Sequence, residues 1–167
     1  NHEFDYVTAK LADIVGSAHQ RGEIPALLLS NSVFNPTNPE DDALEKLVSE
    51  NIIGRTFIIS RGGLKFGFFS LMGQVADDNA AYAPPVTFSG QVATARKLVK
   101  ELSAENCDVI ICLSHSGVSK DKDGKWAGED VELAGKVKGI DVIISGHTHT
   151  YLNKPVMVNG VPIVQTG

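Results

Sequence analysis

Two histidines one residue apart, His147 and His149, follow the apolar run Asp141 to Ser145 and the glycine Gly146. Imidazole is the commonest protein ligand for transition metals, and a pair this close can serve one ion or two neighbouring ions. Taken alone, the H-x-H pattern fits a metal site and a solvated polar loop equally well. The same arrangement recurs elsewhere in the chain. His115 ends a second apolar run, DVIICLS, and His2 sits beside Asn1 ahead of a helical pattern, with Asp5 three residues on. Histidines at the ends of several separate elements favour a metal site over chance. His19, on the outer half of the first helix, reads as a solvated surface residue.

These residues need elements that bring them together. DVIIS and DVIICLS are short apolar runs between breakers, the signature of parallel-sheet strands covered on both faces. Gly146 lets the chain turn sharply as it leaves its strand. In open α/β sheets ligands bind beyond the strands' carboxyl ends, which places His115, His147 and His149 on one rim. Around them the chain reads as a helix with Val7, Leu11, Ile14, Val15 and Ala18 at helical spacing, stopped at Gly22. A strand over 26–34 follows, then a short helix or irregular connection over 43–52. RTFIIS and LKFGFFSLMG flank Arg61-Gly62-Gly63, a hairpin signal. A loop over 73–85 leads to the longest helix, 89–105, with Val92, Ala95, Leu98, Val99 and Leu102 on its apolar face. The hydrophilic loop SKDKDGKWAGED, a helix over 130–137 and a closing hairpin around Asn159-Gly160 complete the order. Helices and strands interleaved in this way predict an α/β layered fold with mixed sheets flanked by helices. Asn31, at a strand end near the rim, reads as a structural hydrogen-bonding residue.

The bulk properties narrow the function classes. The chain has 167 residues, 43% hydrophobic and 21% charged, enough for one globular domain with a core. A formal net charge of -5 argues against a nucleic-acid partner or an acidic-membrane surface. No apolar run reaches the length of a membrane span, and no basic-then-apolar signal segment opens the chain. Cys107 and Cys112 fall on one predicted strand. Five extended residues span roughly 16 Å, against about 7 Å for bridged Cα atoms. They read as buried thiols and leave the redox compartment open.

Asn1-His2-Glu3-Phe4-Asp5, Leu113-Ser114-His115-Ser116-Gly117 and Gly146-His147-Thr148-His149-Thr150 resemble three consecutive motifs of the calcineurin-like metallophosphoesterases. In detail they are similar to the 5′-nucleotidase family, which includes secreted and periplasmic members. The resemblance implies a dinuclear centre of two divalent metal ions, zinc, manganese or similar, that activates a hydroxide against a nucleotide phosphate. It implies that Asn1, His115 and His147 ligate one ion and His149 the other. His2 would be the catalytic histidine, oriented by Asp5. A histidine near the phosphate can protonate the departing alkoxide or stabilise phosphoryl charge, and a carboxylate partner can fix its tautomer. Glu3 reads equally as an acid at a helix N-terminus.

The departures shape the expectation as much. The family's Asp-x-His and Gly-Asp motifs do not occur in these residues, nor does its base-binding domain. Residues 1–167 are therefore expected to be the C-terminal part of a metallophosphoesterase catalytic domain, incomplete at its N-terminal end. Alone, this part is expected to bind metal weakly and turn over little. The substrate expected of the whole protein is a small-molecule nucleotide, in a periplasmic or extracellular setting. Two rival readings stand beside it: a superfamily phosphodiesterase or pyrophosphatase acting on cyclic nucleotides or dinucleotides, and a non-catalytic module keeping the fold for binding.

Overall fold

The computed structural model describes residues 2–22 and 24–167. A 3-10 turn, His2–Asp5, leads into helix α1, Thr8–Arg21. Strands β1 (Leu27–Leu28) and β2 (Ser32–Val33) precede α2 (Asp42–Ser49) and β3 (Ile53–Gly54). The long hairpin β4 (Thr56–Arg61) and β5 (Leu64–Met72) is followed by α3 (Gln74–Asp78), β6 (Thr87–Phe88) and α4 (Gln91–Ala104). Next come β7 (Val109–His115), the hairpin β8 (Ser119–Lys120) and β9 (Trp126–Ala127), and α5 (Glu129–Lys136). Strand β10 (Val142–Ile144) and the hairpin β11 (Val156–Val158) and β12 (Val161–Val164) close the chain.

The main sheet has the order β11-β12-β10-β7-β5-β4. Its central strands β5, β7, β10 and β12 run parallel, and the two hairpins add antiparallel edges. Parallel direction is what carries the carboxyl ends of β7 and β10, and so His115 and His147, to one rim. Both hairpin turns have left-handed backbone at their two central residues, Gly62 and Gly63 in one, Asn159 and Gly160 in the other. That is the conformation a two-residue type I′ turn requires, and these residue types adopt it at least cost.

Helices α4 and α5 cover one face of the sheet. Leu98, Val99 and Leu102 of α4 and Leu133 of α5 pack over Phe69, Ile110, Cys112, Ile143 and Ile163. The expected apolar face of α4 is thus the buried one, with Val92 at its margin. A second core gathers Phe4, Ala12 and Val15 against Leu44 and Leu47 of α2. The first helix turns Leu11, Val15 and Ala18 inward as its spacing suggests, but its buried face is rotated at the edge. Val7 and Ile14 are exposed, and buried Thr8 takes the inner position, donating to Glu40 O at 2.7 Å. A polar side chain with a backbone partner can be buried at little cost, so it competes with an apolar neighbour for that place.

Four other expectations are corrected. The strand over 26–34 is broken into β1, which pairs with β3, and β2, which pairs with β6. At the break, the buried Asn31 amide donates to Met72 O and Ser89 O and accepts from Met72 N, all at 2.9 Å. Asn31 is the structural residue it was expected to be. The loop over 73–85 contains α3, and the loop 119–130 folds into the β8–β9 hairpin, whose tip is closed by Asp121 accepting from the Asp123 and Lys125 amides. Finally, β7 and β10 are not covered on both faces by described residues. Ile143 is fully buried while its neighbour Ile144 is 45% exposed, and Leu113, Phe57 and Ile59 share the open face. The apolar runs reflect two hydrophobic faces, of which α4 and α5 cover one, while α1 and α2 stand over part of the other across a cavity that Leu113 and Ile144 line.

The cysteines are free, as expected, but only Cys112 is fully buried and on the strand. Burial pushes its thiol well above the ordinary range, and the Asp130 carboxylate pushes the same way. Only the thiolate reacts readily. Titration of the native protein with a thiol reagent is therefore expected to modify Cys107 alone, with Cys112 following only in denaturant. Prompt reaction of Cys112 would contradict its placement.

Candidate functional site

His115 is the last residue of β7, and His147 lies three residues beyond the end of β10. Their ring centroids are 5.1 Å apart and tilted by 60°. The space between strand exits is created by Gly146, where a Cβ would stand 3.3 Å from His115 Nδ1. Gly146 itself is not in left-handed backbone. The sharp turn expected of it is made instead by His147 and His149, with φ of 82° and 51°. Left-handed backbone at residues other than glycine costs of order 1 kcal/mol or more each and clusters at ligand-clamping sites.

Burial lowers the His115 imidazole to about 4, and the neighbouring His147 acts in the same direction. His147 is also lowered, again by burial first, with the Glu129 carboxylate pulling the other way. Both shifts favour the neutral ring, the form that ligates metal. The spacing agrees. With metal–nitrogen bonds of about 2.1 Å and each nitrogen roughly 1 Å from its ring centre, two imidazoles sharing one ion place their centroids ~5 Å apart. The donor pair thus fits a divalent ion in kind. Among the described residues, no three His, Cys, Asp or Glu side chains gather into one metal-holding group. His149 is exposed two residues beyond His147, and Asn1 lies outside the described residues.

His2 Nδ1 stands 3.0 Å from Asp5 Oδ2, both side chains being well exposed. The 3-10 turn brings the i and i+3 side chains to one side, which is why the pair forms locally. A positive charge on His2 would act on both His115 and His147, which puts the dyad in the neighbourhood of the two rings. Glu3 and His115 also line a cavity of about 360 Å³ between the main sheet and helices α1 and α2. His19 is exposed on α1, away from the rim, as expected.

Several residues that shape the rim carry no signal of their own in the sequence. Asp130 of α5 is fully buried and accepts from Ser114 Oγ, Gly117 N and Ser145 Oγ at 2.6, 3.1 and 2.5 Å. Gln165, with its amide oriented to satisfy every neighbour, donates to Ser145 Oγ at 3.0 Å. It accepts from Thr148 Oγ1, His149 N and Thr150 N at 3.0, 3.2 and 2.8 Å. Glu129 accepts from Gln74 N at 2.8 Å and lies close to His147. A glutamine just past a strand or an acid at a helix start reads in the sequence as a residue facing water until the tertiary structure turns it inward.

Gly117 is held at φ 90°, and a side chain there would collide with Thr148. Left-handed strain alone costs about 1–3 kcal/mol. Gly117→Ala is expected to lower the free energy of unfolding by at least that amount, read from urea denaturation. Unchanged stability would show that the two loops do not meet there.

The calcineurin-like phosphoesterase family profile matches residues 1–151. A snake venom 5'-nucleotidase from Crotalus adamanteus is 28% identical over 186 aligned residues, covering 99% of this chain and 28% of that protein. A 2',3'-cyclic-nucleotide 2'-phosphodiesterase/3'-nucleotidase from Salmonella typhimurium is 27% identical over 158 residues, covering 89% of this chain and 22% of that protein. Among solved structures, a 5'-nucleotidase precursor from Thermus thermophilus superposes with a TM-score of 0.67 at 23% identity, covering 98% of this chain and 31% of that one. The chain spans about a quarter of the length of the curated relatives it is compared with.

Proposed function

The chain belongs to the calcineurin-like phosphoesterase family, and on that premise we propose that it forms part of a metal-dependent hydrolase acting on nucleotide phosphoesters in the manner of a 5′-nucleotidase. The observation that carries the proposal is the His115–His147 pair, its ring centroids 5.1 Å apart beyond the ends of β7 and β10, with the His2–Asp5 dyad near enough for a charge on His2 to act on both rings. The family uses divalent metal ions. Two such ions are proposed here, one held by Asn1, His115 and His147 and the second by His149. Bound at this rim, they supply positive charge to the phosphoryl oxygens and acidify water at neutral pH.

The chain's own residues do the rest. Asp5 occupies His2 Nδ1, so Nε2 is the nitrogen left to face a substrate. A proton held at Nε2 can pass to the departing ribose oxygen or, staying in place, offset charge on the phosphoryl group. The left-handed backbone at His147 and His149 fixes the course of the loop that carries the two rings. Nucleotide specificity is proposed from the relatives, whose names include 5'-nucleotidase and 3'-nucleotidase. An extracellular or periplasmic location is proposed on the venom relative. No helix among the described residues is long and apolar enough to cross a membrane.

The test is phosphate release by the intact protein from a nucleoside 5′-monophosphate, before and after chelation. Activity is expected to vanish on chelation and return with added zinc or manganese. Chelator-resistant hydrolysis would overturn the metal reading, and a preference for cyclic nucleotides would replace the substrate class.

A further inference from the structure

We infer that Asp130 is the positioning residue that clamps the two histidine-bearing strand ends together, an inference that rests on the reading of His115 and His147 as metal ligands. The β7–β10 ladder ends at the pair Leu113–Ile144. The next residues in register are Ser114 and Ser145, and no ladder pair joins them. They meet instead through one carboxylate. Ser114 Oγ donates to Asp130 Oδ1 at 2.6 Å, and Ser145 Oγ donates to Asp130 Oδ2 at 2.5 Å. The Gly117 amide donates to the same Oδ2 at 3.1 Å.

The geometry places this clamp immediately behind the rim. Ser114 adjoins His115, Gly117 follows it by two residues, and Ser145 precedes His147 by two. Asp130 therefore sets the separation of the two imidazoles although it touches neither. Its side chain is fully buried and takes part in none of the ion pairs among the described residues. A buried carboxylate without a cation is costly, and three donors are what offset that cost. Gln165 extends the clamp by bonding Ser145 Oγ and the backbone amides of His149 and Thr150. One connected network thus fixes both strand exits and the loop between His147 and Thr150.

The wiring makes a distinction between substitutions. In Asp130→Asn the amide oxygen can take the Oδ2 place, accepting from Gly117 N and Ser145 Oγ. The amide nitrogen then donates to Ser114 Oγ, whose own hydrogen can turn to Ser116 Oγ, 2.8 Å away. Asp130→Ala can do none of this. Partners behind metal ligands typically contribute about 10–100-fold in metal affinity. Asp130→Ala is accordingly expected to weaken zinc affinity ~10–100-fold, and Asp130→Asn to stay near the parent.

The experiment measures zinc affinity of the intact protein by chelator competition, alongside thermal unfolding. Ser145→Ala removes one arm of the clamp and is expected to give a smaller loss in the same direction. It carries the test should Asp130→Ala fail to fold. Asp41→Ala is the structural control. Asp41 is equally buried, at the start of α2, and accepts from the Asn35 amide at 2.9 Å. Its loss is expected to lower stability without changing zinc affinity of the folded protein. Parent-like zinc affinity in a folded Asp130→Ala, or in Ser145→Ala if the former does not fold, would overturn the inference. So would an Asn variant as weak as the Ala variant. If His147→Ala also leaves zinc affinity unchanged, it is the ligand reading that fails; if His147→Ala weakens binding and the clamp variants do not, only the clamp fails.

Discussion

His2→Asn in the intact protein is expected to lower hydrolysis of a nucleoside monophosphate by ~10²–10⁴-fold, the usual contribution of a positioned acid or base. Its metal content is expected to stay at the parent level. His2 Nδ1 is already engaged by Asp5 Oδ2, and both side chains stand in solvent at the edge of the rim. That placement suits proton delivery and leaves His115 and His147 to face one another. Added metal should therefore not restore the His2→Asn variant. Asp5→Asn should show a milder loss, because the ring remains but is less firmly oriented. Leaving groups separate the two ways in which His2 can act. A nitrophenolate needs little protonation on departure, so the defect should narrow with nitrophenyl phosphate if proton transfer is the main contribution. An equal defect for both substrates would assign His2 to charge stabilisation. Loss of metal from His2→Asn would refute the division of labour altogether.

His147→Ala is expected to behave in the opposite way: a loss of metal affinity greater than the ~10–100-fold typical of groups behind the ligands, with activity partly recovered at high metal concentration. His147 packs its ring 5.1 Å from that of His115, and removing it leaves one imidazole where two converge. Metal content and rate, measured together over a metal titration, check the prediction. A variant with parent-like metal content would remove His147 from the site.

What was legible in the sequence was the part set by local chemistry. The period of Ala95, Leu98, Val99 and Leu102 marks the buried face of α4, and the pairs Gly62-Gly63 and Asn159-Gly160 mark two tight turns, because those signals live within a few residues. The histidines at the ends of DVIICLS and DVIIS could be placed on one rim because strands of that composition run parallel, and β7 and β10 do. The His2–Asp5 contact is likewise local, one turn of chain.

What only the tertiary structure decided depends on which surfaces meet. The inner face of α1 depends on what it packs against: Thr8, bonded to Glu40 O across 32 residues, is buried with Ala12 and Val15, while Ile14 is left exposed. The turn into the GHTHT loop falls on His147 and His149, leaving Gly146 to provide room for the His115 ring. A left-handed backbone at histidine is tolerated only where surrounding contacts over-determine it, and those contacts come from distant Gln165 and Val118. Asp130 looks, in sequence, like one of three acids opening a short helix, a place where acids ordinarily face water. It is buried because Ser114, Gly117 and Ser145 converge on it from two strands, and hydrogen-bond convergence of that kind has no signature along a single chain.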